Sequence, residues 1–187
     1  MFYVEIGMRC LIGAVFLISF LGKVSGPGKF AAFIKSVHGM RIVPSRAARP
    51  VARVVLAAEA SVCLLLAVPA AAGALAGFTV SAALLVSFAL AITLSVRRGV
   101  RAPCRCFGAS AVPLRSWHAV RNLLLTACAA GGAVAATGNG QAHVGGAALA
   151  VFGGLLLGVL VTLLDDLFDL FRPGGDTGRS VRPPQAA

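Results

Sequence analysis

Five long apolar segments dominate the sequence, and each is close to the length that crosses a membrane as a helix. An α-helix rises about 1.5 Å per residue, so about 20 apolar residues span the hydrocarbon core of a bilayer. The five segments cover roughly residues 4–24, 51–71, 75–96, 118–137 and 144–164. Only the region around Pro69 and Gly73 separates the second segment from the third, which predicts a tight helical hairpin. The pattern therefore predicts an all-α integral membrane protein with five spans.

The first apolar segment has the position of a signal peptide, but we expect a retained helix. Glu5 and Arg9 interrupt its start, its apolar part is too long, and no small-residue cleavage site follows. Because these two charged residues are four apart on a helix, we also expect them to form an ion pair.

The charge content of the chain argues against a soluble protein. Of its 187 residues, 58% are hydrophobic and 12% are charged, whereas a soluble domain carries about 25% charged residues. Seventeen Lys and Arg side chains against six Asp and Glu give a net charge of +11. The basic residues fall between the apolar segments and form no continuous face, so they do not indicate nucleic-acid binding.

Basic and uncharged connections alternate along the chain, as membrane crossing predicts. The first connection (25–50) and the third (97–115) are rich in Lys and Arg, whereas the second (69–73) and the fourth (137–143) contain no Asp, Glu, Lys or Arg. Under the positive-inside rule the first and third connections are cytoplasmic. The N-terminus is then predicted to lie outside, and the tail that follows the fifth span in the cytoplasm.

We divide the chain into three parts. Residues 1–137 are predicted to form a four-helix transmembrane domain, with a short helix over about residues 29–37, ended by Gly39, in the first connection. Residues 138–171 hold the fifth span and an acidic segment, which is either a helix on the membrane surface or the solvated end of the span. Residues 172–187 are rich in Pro, Gly and Arg, a composition typical of disorder.

Two glycines in the fifth span, Gly154 and Gly158, form a GxxxG motif. Glycines at this spacing let the backbone of a membrane helix approach a neighbouring helix closely. The motif therefore predicts close packing of the fifth span, although one such match is weak evidence in a chain with 22 glycines.

The five cysteines fall into two groups. Cys10, Cys63 and Cys128 each lie inside an apolar segment, whereas Cys104 and Cys106 lie together in the polar connection after the third span. An accessible thiol exchanges when it is partly ionised, and positive charge nearby, as from Arg101 and Arg105, favours the thiolate. A Cys-x-Cys disulfide closes a small ring, and strained, exposed disulfides are the labile or catalytic kind. The pair at 104 and 106 is therefore predicted to be redox-active.

Other uses of this cysteine pair stay open on the sequence alone. A structural zinc site usually has a second pair of ligands, and only His118 lies nearby, so the sequence shows no complete site. Two thiolates also suit Cu(I), and an incidental pair is a further alternative. His38, His118 and His143 are scattered over different connections, so we predict no haem, quinone or other cofactor.

Glu59 lies inside the second span, where a carboxylate is costly and usually finds a partner or marks function. Cys63, four residues further on, lies on the same helical face. The topology brings Lys23, Glu59, His118, Arg121 and the cysteine connection to one membrane face. We expect Lys23 and Arg121 to be counter-ions of Glu59, in a cluster that tunes the thiols or passes a proton. In the alternative, Lys23 extends to the membrane surface, and Glu59 and Arg121 form a pair that only fixes helix register.

The sequence resembles the MauE (methylamine utilisation protein E) family, within the wider group of DoxX-like membrane proteins. The weaker matches are Arg9, the Phe-Leu-Gly-Lys run that ends at Lys23, and Glu59. The stronger matches are the Cys104-x-Cys106-Phe-Gly108 stretch after the third span and the Trp117…Arg121-Asn122-Leu start of the fourth. Together they extend over residues from about 4 to 130, roughly two thirds of the chain.

The resemblance implies a core of four helices and a part in forming or maintaining disulfides in exported proteins. It also implies a thioredoxin-like partner of the MauD type, and a client such as the disulfide-containing small subunit of methylamine dehydrogenase. By the same resemblance, Cys104 and Cys106 are the redox pair and Glu59 is a supporting polar residue. We predict four further supporting residues: Lys23, Cys63, Arg105 and Arg121.

Two features conflict with this resemblance. Arg105 stands where a small residue such as Gly is expected. The charge pattern also places the cysteine pair in the cytoplasm, whereas exported proteins are oxidised outside. Either the pair receives electrons from the cytoplasm and hands them to an intramembrane cysteine such as Cys63, or the charge rule misorients the chain. Two other functions remain open: delivery of Cu(I), and a membrane assembly factor without thiol chemistry.

Overall fold

The computed structural model describes residues 1–100, 116–138 and 143–170, with side chains as far as Leu164. All regular secondary structure in these residues is helical. The helices are α1 (Phe2–Val24), α2 (Lys29–Gly39), α3 (Ser45–Ala67), α4 (Ala71–Arg97), α5 (Ser116–Ala136) and α6 (Val144–Leu170). All except α2 are long and apolar enough to cross a membrane. The predicted all-α membrane fold is therefore confirmed, as is the short helix in the first connection.

The helix boundaries differ most from the prediction in the second span. α3 begins at Ser45, six residues before its predicted start, and Pro50 lies inside it. Proline removes one backbone N–H group, and because Pro50 is the sixth residue of α3 the helix loses one hydrogen bond of its ladder there. At the other end Val68 has an extended backbone, because a residue before proline, here Pro69, disfavours the helical conformation.

α3 and α4 form the predicted tight hairpin, but Gly73 does not lie in its turn. Gly73 belongs to the first turn of α4, where an added Cβ would lie 3.1 Å from the carbonyl oxygen of Leu65. The glycine therefore permits the two helices to approach each other, and the turn itself is the short stretch around Pro69.

Arg9 of α1 joins the hairpin turn to the rest of the bundle. Its Nη1 donates to the carbonyl oxygen of Val68 at 3.0 Å, and its Nη2 donates to that of Ala70 at 3.0 Å. The same guanidinium lies 3.1 Å from Glu5 Oε1, so the predicted pair between these residues is confirmed. The end of a helix leaves carbonyl groups without partners in the helix; Arg9 donates to that of Val68, just after α3, and also to that of Ala70, which already accepts from the backbone N–H of Ala74.

The spans α1, α3, α4 and α5 form the core of the bundle. α1 packs against α3 and α5, α3 packs against α4, and α4 packs against α5. The largest fully buried apolar side chains lie between these helices: Ile12, Val15, Phe16, Phe78, Leu85 and Ile92. α2 contacts α1 and α3. Because successive spans run in opposite directions, the end of α1, the start of α3, the end of α4 and the start of α5 meet at one end of the bundle.

α6 contacts only α1 among the described helices. An added Cβ at Gly154 would collide with the carbonyl oxygen of Gly7, and one at Gly158 would lie 2.9 Å from both Ala14 Cβ and the carbonyl oxygen of Leu11. Membrane helices associate through such close packing because lipid supplies no hydrophobic driving force between them. The packing role predicted for the GxxxG motif is therefore confirmed, whereas the division of the chain at residue 137 stays a prediction.

Candidate functional site

Three buried polar side chains, Ser19, Lys23 and Glu59, contact one another between α1 and α3, and we call them the buried polar cluster. Lys23 Nζ lies 2.6 Å from Glu59 Oε1 and donates to Ser19 Oγ at 2.6 Å. Ser19 Oγ donates in turn to Glu59 Oε1 at 3.0 Å. The side chains of Lys23 and Glu59 are 2% and 0% exposed. The cluster is therefore an ion pair with a hydroxyl bridge, enclosed in the bundle.

Lys23 occupies the position predicted for a counter-ion of Glu59. Its ammonium group does not extend to the membrane surface, because it is buried and lies 5.0 Å from the centre of the Phe33 ring of α2. The second carboxylate oxygen, Oε2 of Glu59, is also buried, and it has no hydrogen-bond partner among the described residues. Charged side chains inside a membrane protein usually pair with one another, as Lys23 and Glu59 do. Their contact ties the last turn of α1 to α3.

The first turns of α5 place further polar side chains inside the bundle. His118, Arg121 and Asn122 are 5%, 4% and 0% exposed, and Asn122 Nδ2 donates to the carbonyl oxygen of His118 at 2.7 Å. α5 runs antiparallel to α1, and its Gly132 approaches Met8 near the other end of both helices. The polar start of α5 therefore lies at the same end of the bundle as the buried polar cluster, as the topology predicted.

Two thiols line a groove of about 660 Å³ between α1, α3 and α6. Cys10 and Cys63 are both half-buried, and Arg9 also lines the groove. Cys63 follows Glu59 by one helical turn, as predicted from the sequence. Cys10, Cys63 and Cys128 form no disulfide with one another, so the described cysteines are thiols in an apolar setting.

The predicted redox residues Cys104 and Cys106 lie outside the described residues, as does Arg105. The stretch 101–115 that carries them joins the end of α4 to the start of α5. Both of these helix ends lie at the end of the bundle that holds the buried polar cluster. Their roles remain predictions.

Ser19 was not predicted as a site residue, although it bridges the ammonium and the carboxylate of the buried polar cluster. A serine in an apolar span carries little signal alone, because its hydroxyl usually bonds to the backbone of its own helix. The available signal was its position four residues before Lys23, which puts both side chains on one helical face.

No metal-binding constellation is formed by the residues whose positions the structure gives. Within them, no three His, Cys, Asp or Glu side chains lie close enough together to hold an ion. The buried polar cluster joins one carboxylate to an ammonium and a hydroxyl. It has the composition of a buried ion pair, and it lacks the several Cys, His or carboxylate ligands of a zinc site.

The bundle and its polar positions were compared with known proteins. A family model described as methylamine utilisation protein MauE matches residues 1–135. The chain belongs to the MauE family. Neither the search of curated proteins nor the search of solved structures gave a match. The MauE match covers α1 to α5 and therefore includes the buried polar cluster, the polar start of α5 and the connection with Cys104 and Cys106.

Membership assigns the chain to a family of membrane proteins described by a part in methylamine utilisation. The five apolar helices agree with this assignment, because they make the chain a multi-pass protein of the lipid bilayer. α6 lies beyond the matched residues and packs on the outside of α1.

Proposed function

We propose that this MauE-family protein is a membrane thiol–disulfide carrier that uses Cys104 and Cys106 to support the maturation of an exported protein. The observation that carries the proposal is the Cys104-Arg-Cys106-Phe-Gly stretch, which lies in the connection between α4 and α5 of a MauE-family chain. Two thiols one residue apart beside several arginines suit exchange better than they suit a permanent staple.

The exchange proceeds through two thiol–disulfide steps. The thiolate of one cysteine attacks a disulfide of the partner, forms a mixed disulfide and releases one partner thiolate, which takes up a proton. The second cysteine then attacks the mixed disulfide, closes the Cys104–Cys106 disulfide and releases the other partner thiol. The partner gains two electrons and two protons, and the cysteine pair loses them. The same steps in reverse oxidise a dithiol.

The buried polar cluster would act as a positioning element for this chemistry. Lys23 and Glu59 fix the last turn of α1 against α3, and Arg121 and His118 are buried in the first turns of α5. A thiol pair one connection away needs a rigid platform, since a shift of about 1 Å is enough to weaken exchange geometry. Arg105 would favour the reactive thiolate. If the pair faces the cytoplasm, Cys63 would act as an intramembrane acceptor only when it is held in a disulfide, because a thiol is already reduced.

The partners proposed for the carrier follow from its family. A thioredoxin-like protein of the MauD type would exchange with the cysteine pair, and the client would be an exported protein with disulfides, such as the small subunit of methylamine dehydrogenase. The side of the membrane is part of the proposal, since the charge rule places the N-terminus outside and the C-terminus in the cytoplasm.

Glutathione redox buffers test the exchange chemistry directly. The starting protein is the full chain in detergent with Cys10, Cys63 and Cys128 replaced by serine, so that only the proposed pair remains. Oxidised glutathione should convert this protein to an intramolecular disulfide and release two reduced glutathione molecules per chain. Cys104→Ser and Cys106→Ser should each stop at the first step and retain one glutathione as a mixed disulfide.

The controls separate this proposal from its two alternatives. A chain that lacks all five cysteines should neither bind glutathione nor consume it. Equal behaviour of both single variants and the starting protein would contradict the carrier and favour an assembly factor without thiol chemistry. Copper that copurifies with the starting protein and is lost from both variants would instead favour Cu(I) delivery.

A further inference from the structure

Two cavities adjoin each other where α2, α3 and α4 meet. The first is a polar crevice of about 620 Å³ in the turn between α2 and α3, and it is lined by His38, Gly39, Arg41, Pro44 and Ser45. The second is an apolar cavity of about 160 Å³, lined by Phe33, Val37, Met40, Val51, Phe88 and Ala91 together with Ser87, whose hydroxyl donates to the carbonyl oxygen of Ala83. Ile42 and Val43 border both spaces. A polar space therefore continues into an apolar one.

The polar crevice carries positive charge that no acidic side chain balances. Arg41 supplies the charge: it is exposed and forms no ion pair with a described residue, and the exposed His38 adds an imidazole N–H donor to the same crevice. The sequence contains no Asp or Glu between Glu5 and Glu59. Other exposed cations lie on α2, on α3 and at the end of α4, and none of them lines the crevice: Lys35, Arg46, Arg49, Arg53, Arg97 and Arg98. The crevice therefore attracts an anion.

The backbone of Arg41 is held in place by α4. Arg98 Nη1 donates to the carbonyl oxygen of Arg41 at 3.0 Å, and Ser95 Oγ donates to that of Met40 at 3.2 Å. Arg41 itself has a φ of 53°, a conformation that residues other than glycine rarely adopt. These contacts fix the turn before any ligand arrives, so the side chain of Arg41 extends from a backbone that is already held in place.

The apolar cavity indicates what kind of anion would fit. Cavities lined by apolar side chains stay dry and take apolar groups, so a free inorganic anion would leave this one unfilled. A molecule with an anionic head and a hydrocarbon chain would fill both spaces. Arg46, Arg49 and Arg53 follow the spacing of one face of α3 just before its membrane-buried part, where basic clusters attract anionic lipid headgroups.

We propose that the adjoining cavities bind one anionic phospholipid. Its phosphate would lie between Arg41 and His38, and the upper part of one acyl chain would occupy the cavity beside Phe33 and Phe88. None of the residues that line this site is a proposed redox residue, and lipid binding would not depend on the thiol chemistry. Its effect would be to fix α2 against α3 and α4, and so to cover the ammonium of Lys23 with the Phe33 ring.

Native mass spectrometry of the full chain, delipidated in neutral detergent, tests this site. Phosphatidylglycerol should bind about tenfold more tightly than phosphatidylcholine, and inorganic phosphate should not displace it. Arg41→Gln should reduce phosphatidylglycerol binding about tenfold, whereas Lys35→Gln, which removes the same charge outside the crevice, should have little effect. Ala91→Phe, which fills the apolar cavity, should reduce binding, whereas Ala83→Phe on an exposed face of the same helix should not.

Each remaining outcome contradicts the proposal. Equal losses in Arg41→Gln and Lys35→Gln would show diffuse attraction to the basic surface. Displacement by inorganic phosphate would show an anion site without a lipid chain. Long-chain and short-chain phosphatidylglycerol are compared on the unchanged protein, so the test of the cavity does not depend on Ala91→Phe folding correctly. Equal affinity for both would exclude the acyl chain from the cavity.

Discussion

The ammonium group of Lys23 lies 2.6 Å from Glu59 Oε1, and both side chains are enclosed within the bundle. Lys23 is in the last turn of α1, whereas Glu59 is well inside α3, so one contact joins the end of one span to the interior of another. A buried ion pair contributes little net stability compared with an apolar pair. Removing only one of its two side chains is costly, because the other charge is then buried without a partner. The best-supported role of the pair here is to fix how α1 and α3 align.

Replacing either Lys23 or Glu59 alone should strongly destabilise the protein. Lys23→Met leaves the Glu59 carboxylate buried without its cation, and Glu59→Gln leaves the ammonium without its anion. Each variant is expected to lose about 3–5 kcal/mol of unfolding free energy, measured by thermal unfolding in detergent.

The double variant provides the control for this pair. Lys23→Met combined with Glu59→Gln removes both charges and should lose clearly less stability than the sum of the single changes. Lys35→Met, at an exposed position of α2, should leave the unfolding temperature unchanged. Additive losses in the double variant would mean that the two charges do not stabilise each other.

The Arg9 clamp should require a guanidinium and not merely a positive charge. Lysine cannot donate in a fork to the carbonyl oxygens of both Val68 and Ala70, so Arg9→Lys is expected to lower stability by about 1.5–3 kcal/mol. Glu5→Gln removes only a pair one helical turn apart and should cost much less, at most about 0.5 kcal/mol. Thermal unfolding with equal effects in both variants would contradict the clamp.

The contact between α6 and α1 should be sensitive to a single methyl group. In Gly154→Ala the new Cβ would collide with the carbonyl oxygen of Gly7, and the two helices must separate, at an expected cost of about 1–3 kcal/mol. Gly153→Ala is the matched control, because nothing lies within 4 Å of its Cβ position. Unfolding curves that show the same effect for both changes would mean that Gly154 is not at a packing contact.

The sequence predicted the number and order of the spans because apolar length is a direct physical requirement for crossing a bilayer. Its errors were local. The helix of the second span begins at Ser45 and not near residue 51, and Gly73 lies in the first turn of α4 and not in the hairpin turn, because the sequence does not show which neighbours these residues will meet.

The buried polar cluster was predictable only in part. A carboxylate inside a span demands a partner, and we expected both Lys23 and Arg121 to be counter-ions of Glu59. The contact with Lys23 is present. Which basic side chains reach the carboxylate depends on the relative depth of α1, α3 and α5, which is set by packing. The polar crevice at His38 and Arg41 was not predicted, because it arises from a turn and from the side chains of α4 that hold it.

The side of the membrane that the cysteine connection faces decides how a carrier would work. The charge rule predicts the cytoplasm, whereas oxidation of exported proteins takes place outside. If the connection faces the cytoplasm, electrons must cross through the bundle, and Cys63, a thiol in the groove between α1, α3 and α6, would accept them only after it had itself been oxidised to a disulfide. If it faces outward, Cys104 and Cys106 meet a partner directly.

The most direct test of the proposed function is thiol mass-tagging with a membrane-impermeant maleimide, in intact cells and in lysate. The variant used retains Cys104 and Cys106 and has Cys10, Cys63 and Cys128 replaced by serine. The carrier predicts that a fraction of the protein gains two tags only after reduction, because that fraction holds this pair as a disulfide. Tags in intact cells would place the pair outside, and tags in lysate alone would place it in the cytoplasm. Full tagging in lysate without reduction, with no increase after reduction, would contradict the carrier.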